Sequence, residues 1–193
     1  MFNDKYGLTK AVLEGRKTQT RRIAHISRYE FDVVNYEYPS APLGLRRSIL
    51  DISKYKINEI IAIAQSYREL GYTKLDIDNE CITKGGLDNK MFVKAELMPH
   101  QIRITNVRIE RLQDISNEDC FSEGVVVIEA KVKGGVKSYY PCEYLKSCAN
   151  KVGWGRVFDS AKKAYAELID KVSGKGTWQS NPYVFVYDFE LIK

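Results

Sequence analysis

The sequence predicts an α+β domain wrapped around one strongly curved β-sheet, and three features of the chain predict it. Along residues 100–112 apolar side chains alternate, but Ile102 and Ile104 share one parity while Val107 and Ile109 share the other. One face holds all four only if an extra residue intervenes near Thr105 and Asn106, and a bulge of that kind bends a strand. The C-terminal run over residues 182–192 carries Tyr183, Phe185, Tyr187 and Phe189 on alternate positions, as a packed strand does. After Gly155, the residues Val157, Phe158, Ala161, Tyr165, Leu168, Ile169 and Val172 form one apolar stripe at helical spacing.

The other elements follow in chain order. Leu8, Ala11 and Val12 sit at helical spacing, and Gly15 ends that short helix by taking a positive φ. Residues 35–56, with Pro39, Pro42 and Gly44, read as a loop. Residues 57–64 are a nearly continuous apolar run of strand length, which predicts a buried strand. Turn residues at 84–89 precede a further expected strand over residues 91–97. Ser116 reads as a helix N-cap, with Glu118 and Asp119 in the first turn and Ile115 placed to pack over Cys120. Gly124 then ends a helix of about two turns. No repeat, low-complexity tract or linker divides the chain, so residues 1–193 are expected to form a single domain.

Composition narrows the function classes. Hydrophobic residues at 44% and charged residues at 28% are ordinary for a folded chain of 193 residues, which excludes wholesale disorder. No apolar run approaches the roughly 20 residues that span a bilayer. The first residues lack the basic-then-apolar layout of a secretory signal, so the expected location is cytoplasmic. Cys81, Cys120, Cys142 and Cys148 include no C-x-x-C pair, and His25 and His100 are the only histidines. That spacing offers no zinc site, and the thiols read as small hydrophobes. No metal, cofactor or membrane partner is expected.

Charge is more telling once located. Residues 1–28 hold seven basic and two acidic side chains, so the whole net charge of +5 lies in that stretch. Concentrated positive charge attracts phosphate; a solvated basic face is the alternative. The segment Gly15-Arg16-Lys17-Thr18-Gln19-Thr20-Arg21-Arg22 is therefore expected to form one wall of a cleft for RNA or a nucleoside, with Arg21 and Arg22 drawing phosphate. Arg46 and Arg47 either extend that surface or form a solvated loop pair.

Within the segment, a threonine hydroxyl needs a neighbouring base to become a nucleophile. Lysine serves only if burial or nearby cations lower its pKa, and Arg16, Arg21 and Arg22 are such cations. Lys17 and Thr20, three apart, project to opposite sides of a regular strand, so their convergence calls for a turn or bulge over residues 17–20. Glu123 falls in the last turn of its helix, where the dipole disfavours an acid by roughly 0.3–1 kcal/mol. Something should hold it there, either a surface ion pair or a functional cation. Trp178, beside the polar stretch 174–177, is the aromatic residue best placed to stack a base, although aromatic residues more often join a core.

The pattern Gly15-x-Lys17-x-x-Thr20-x-Arg22 resembles the G-x-K-x-x-E-x-R signature of the ASCH domain family, a branch of the PUA-like superfamily, with threonine in place of its glutamate. The resemblance continues through residues 104–115, Ser122-Glu123-Gly124 and residues 181–189, in the order of the longer phage and prophage members. It implies a PUA-like small curved β-barrel with peripheral helices and a cleft facing RNA or nucleotide ligands. Residues near 30–56, 66–90 and 125–180 then stand as insertions relative to compact members. One compact branch hydrolyses the acetyl amide of 4-acetylcytidine with a lysine, a threonine and a glutamate. Its G-R-K-T-x-T-x-R-like run matches residues 15–22, which implies Lys17 as base and Thr20 as nucleophile, and its glutamate falls on Glu123. Two functions stay open. One is a binding module for RNA or a modified nucleoside through Gly15, Arg16, Lys17, Arg21, Arg22 and Trp178. The other is an amidohydrolase acting through Lys17, Thr20 and Glu123. A protein-interaction role is a third class.

Overall fold

In a computed structural model of the chain, the residues described are 2, 6–25, 49–76, 86–91, 93–129, 137–141 and 157–192, and elements are numbered over them. The expectations for Cys81, Cys142, Cys148, Arg46 and Arg47 fall outside these residues. The strands are β1 (Gln19–Ile23), β2 (Ile60–Ala62), β3 (Gln101–Arg111), β4 (Val126–Glu129), β5 (Lys137–Tyr140) and β6 (Tyr183–Leu191). The helices are α1 (Leu8–Leu13), α2 (Ile49–Ile52), α3 (Asn117–Ser122), α4 (Ala161–Ser173) and α5 (Thr177–Ser180). Four antiparallel strands in the order β1-β6-β3-β2 make a sheet curled into a half-barrel, and β4 pairs with β5 separately. The mixed architecture around a curved sheet is the one expected.

The curl has a visible cause. The register of β3 on β6 shifts between Ile104 and Asn106, so Thr105 is the extra residue. After that shift Ile102, Ile104, Val107 and Ile109 all enter one buried cluster with Phe185, Tyr187 and Phe189. The opposite face of β6 sends Val184 and Val186 into a second cluster, beneath Ala164, Tyr165, Leu168 and Ile169 of α4. A central strand covered on both faces accounts for the nearly unbroken apolar run of β6.

Local signals hold at the helix ends. Gly15 takes φ 70° just after α1. The Ser116 Oγ accepts the Asp119 N–H at 3.0 Å, Glu123 is the C-cap of α3, and Gly124 follows at φ 107°. Ile115 and Cys120 are buried in the same cluster. Burial pushes the Cys120 thiol up to about 12, so it stays protonated and packs as a small hydrophobe.

Four expectations are corrected. Residues 49–52, expected to lie in a loop, form the short helix α2. The apolar run at 57–64 yields only the short β2, at a sheet edge, with Ile57 and Ile60 exposed. Asn58 at φ 67° turns the chain before the strand begins. The described residues 91 and 93–97 give no strand: Ala95–Leu97 is a 3-10 turn, because Ala95, Glu96 and Leu97 favour helical backbone over extended backbone. The amphipathic helix starts at Ala161 rather than near Val157, since the Ser160 Oγ caps it by accepting the Lys163 N–H. Val157 is left exposed, and Phe158 bridges to Tyr139. No helix among the described residues is long and apolar enough to cross a membrane.

Candidate functional site

The site grows from the joint between α1 and β1. After Gly15 the chain runs beside α3, and the Thr18 N–H donates to the Ser122 carbonyl at 3.0 Å. That bond sets Lys17 next to the C-terminus of α3. Its ammonium donates to Glu123 Oε2 at 2.5 Å, the Glu123 carbonyl at 3.0 Å and the Gln19 carbonyl at 2.7 Å. A cation thus closes the helix end and engages the acid that the dipole alone disfavours. Gly124 follows at φ 107°, a backbone conformation that side-chain-bearing residues rarely adopt, and it packs beside Leu8 and Lys17.

Lys17 keeps the alternation of β1, so Lys17, Gln19 and Arg21 all point toward α3 and are buried. Cross-strand register extends this polar face. Arg21 and Arg108 flank Val186 in one row, and Gln19 and Asn106 flank Asp188 in the next. The Arg21 guanidinium donates to Glu110 Oε1 at 2.7 Å, Asp119 Oδ2 at 2.7 Å and Glu123 Oε1 at 3.2 Å. Arg108 reaches Asp119 Oδ2 at 2.7 Å and Asp188 Oδ2 at 2.8 Å. Gln19 Nε2 joins Asp119 to Asp188. Three cations are therefore paired with four carboxylates beneath α3.

This network changes what the basic segment does. Burial lowers the Lys17 pKa; the Glu123 carboxylate opposes that shift, and Arg22 and Arg21 reinforce it. Arg21 is also buried, yet Glu123 and Glu110 hold it firmly charged. Its guanidinium is spent on carboxylates, so it is a structural cation rather than the phosphate-attracting group expected. Arg16 lies exposed and pairs with Glu14.

A cavity of about 790 Å³ runs along the β1 edge, with Lys17, Thr20, Arg21, Arg22, Glu123 and Tyr165 in its wall. Thr20 faces the opposite side of the sheet from Lys17, paired with Tyr187. The turn or bulge expected over residues 17–20 is absent; both residues reach one cavity because β1 is the sheet edge and the cavity borders both of its faces. No hydrogen bond among the described residues engages the Thr20 hydroxyl. Phe2 covers the Lys17 ammonium at 6.0 Å from its ring centroid. Gly15, Arg16 and Trp178 do not line this cavity. Trp178 packs edge-on against Tyr165 at 6.2 Å, a supporting contact in the helix-side core.

Arg108, Glu110 and Asp188 escaped the sequence reading, which took Gln19 only as part of the basic segment and Asp119 only as a first-turn acid. Asp188 carried a signal, as an acid flanked by the aromatic residues Tyr187 and Phe189 within the strand. No group of three or more His, Cys, Asp or Glu suited to a metal ion occurs among the described residues. No protein-family model, curated protein or solved structure matches the chain.

Proposed function

We propose that the cavity along β1 takes a nucleoside-sized ligand bearing an N-acyl group and hydrolyses its amide, with Thr20 as nucleophile, Lys17 as base and Glu123 as the proton partner of Lys17. The observation that carries this reading is the Lys17–Glu123 contact, 2.5 Å long with both side chains at most 6% exposed, in a cavity wall that includes Thr20. The volume falls within the range of small-molecule sites, about 300–1,000 Å³. The resemblance to ASCH domains supports the same three residues, a PUA-like barrel and the acylated cytidine class.

In the resting site all three Lys17 N–H groups are engaged, so the ligand must displace one contact before Lys17 acts. Proton transfer from the ammonium to the Glu123 carboxylate leaves an amine and a carboxylic acid without changing the charge of the pair. The lowered Lys17 pKa favours that transfer. Because Thr20 lies on the opposite face of β1 from Lys17, a water in the cavity relays the Thr20 proton to the amine as Thr20 Oγ bonds to the carbonyl carbon. Collapse of the adduct breaks the C–N bond, and the leaving amino group takes that proton from Lys17. Water then adds to the Thr20 ester and gives a proton to Lys17. Breaking the ester C–O bond returns the proton to Thr20 and releases the carboxylic acid.

Incubation with 4-acetylcytidine tests the reading. Wild-type protein is expected to release cytidine and acetate, and Thr20→Ala and Lys17→Met to release neither. A wild-type protein that leaves 4-acetylcytidine intact removes the reaction; a Thr20→Ala variant at full rate removes Thr20 as nucleophile. A second reading, binding of RNA or a modified nucleoside without chemistry, is favoured by Arg22 and His25 in the same cavity wall. RNA affinity that is insensitive to salt would remove it.

A further inference from the structure

The wall of the cavity beside Lys17 is of two kinds. Leu168, Ile169 and Val172 of α4 supply aliphatic surface, whereas Lys17 and Glu123 supply a buried ion pair. Sites for small organic ligands are mostly apolar, with a few polar groups that fix orientation. Tyr165, on the same helix and in the same wall, adds a polar atom that the Lys17 site does not use.

The Tyr165 ring is held from two sides. Trp178 meets it edge-on at 6.2 Å, and the Arg21 guanidinium stands 6.0 Å from its centroid. The charged groups that act most strongly on its hydroxyl are Glu123 and Arg21, which places the hydroxyl toward the ion-pair end of the cavity. It bonds to neither, because Glu123 already accepts from Lys17 and from Arg21. Among the described residues this hydroxyl has no hydrogen-bond partner, although the side chain is buried. Buried hydroxyls are ordinarily bonded, so an orphan beside a cavity marks a contact still to be made. Burial also keeps the group a neutral phenol, with a proton to donate.

We propose that the Tyr165 hydroxyl is a ligand contact: it donates a hydrogen bond to the ring carbonyl oxygen of a pyrimidine base whose face rests on Leu168 and Ile169. The inference rests on the nucleoside reading of the cavity, but not on hydrolysis. Thr20, on the opposite face of β1, is left to the acyl end of the ligand. The hydroxyl and the Lys17 ammonium are both shielded in the resting site, and ligand entry uncovers both.

Calorimetric titration of the full chain with cytidine and 2-thiocytidine tests this, because a thiocarbonyl is a weaker acceptor than a carbonyl. Wild type is expected to bind cytidine at least about fivefold tighter, the worth of one hydrogen bond. In Tyr165→Phe that preference is expected to fall to about twofold or less. The substitution keeps the ring and removes one unbonded oxygen, so the denaturant midpoint of the free protein should stay at or above that of wild type. Affinity lost while stability is kept is a combination that a merely structural hydroxyl does not give. Equal affinity for the two probes, a preference that survives Tyr165→Phe, or a midpoint well below that of wild type overturns the contact. If 4-acetylcytidine is still hydrolysed, the amidohydrolase reading stands without it. A Tyr165-dependent preference without hydrolysis keeps the contact and removes the reaction. Binding of neither probe overturns the contact, and together with inert 4-acetylcytidine it overturns the nucleoside reading as well.

Discussion

The Lys17 ammonium and the Glu123 carboxylate meet at 2.5 Å across 106 residues of sequence, and Glu123 also accepts from Arg21 at 3.2 Å. Removing one member of a buried pair strands the other, at about 3–5 kcal/mol. Glu123→Ala is expected to reach that range because it strands Lys17, whereas Arg21 keeps Glu110 and Asp119. Lys17→Met should cost less, since Glu123 keeps Arg21. Denaturant unfolding of both single variants and the double variant should give a coupling above about 1 kcal/mol. Additive costs would mean that the contact contributes nothing of its own.

Lys17 also sets a pH dependence for the proposed reaction. Burial holds its pKa below the usual 10.5, so the neutral amine accumulates at a lower pH than it would on a free lysine. The rate of 4-acetylcytidine cleavage is expected to rise with pH, with a midpoint below 10.5, and Lys17→Met should abolish the rise. A flat profile from neutral to alkaline pH would mean that the Lys17 proton passes to Glu123 and not to solvent before the reaction.

On the acid side the sensitive group is Asp119. Partial burial pushes its pKa up, but the hydrogen bond and charge of Arg21, with help from Gln19 and Arg108, outweigh burial and hold it below the usual 3.8. The unfolded chain therefore takes up this proton at a higher pH than the folded chain does. The stabilisation is complete above the unfolded value and is lost as pH falls through the lower, folded value. Asp119→Asn should flatten the acid limb of stability below about pH 5, read from denaturant midpoints. An unchanged limb would place the acid sensitivity elsewhere.

How much of this was legible in the chain depends on the range of each interaction. The bulge was legible because parity is a local property of Ile102, Ile104, Val107 and Ile109. Glu123 was legible because an acid at a helix C-terminus is locally unfavourable. The carboxylate cage around Arg21 was not, because Glu110, Asp119 and Glu123 converge on it only through strand register and helix docking. The charge tally of the N-terminal stretch was correct, yet it could not show that distant carboxylates cancel Lys17 and Arg21. The edge position of β2 was hidden for a related reason: a short apolar run reads the same whether one neighbour or two will cover it.

Thr105 offers a direct test of the bulge. Deleting it should restore a continuous register and turn either Ile102 and Ile104 or Val107 and Ile109 out of the core. Burying those side chains is worth roughly 1.5–3 kcal/mol each, so the deletion should leave little soluble folded protein. Thr105→Ala, at an exposed position, is expected within about 0.5 kcal/mol of wild type. A deletion variant that melts at the wild-type temperature would contradict the register.

Tyr165 separates the ring from its hydroxyl. The ring is 1% exposed in the helix-side core, and burial drives its pKa well above the ordinary value, so it stays a neutral phenol. Its hydroxyl has no hydrogen-bond partner among the described residues. An unpaired buried hydroxyl costs about 1–3 kcal/mol, and an apolar isostere avoids that cost. Tyr165→Phe is therefore expected to match wild-type stability or exceed it by about 1 kcal/mol, while Tyr165→Ala should lose about 3–5 kcal/mol with the ring. The midpoint of denaturant unfolding decides between these outcomes and a bonded hydroxyl. A loss above about 1 kcal/mol in Tyr165→Phe would mean that the hydroxyl is satisfied within the folded chain.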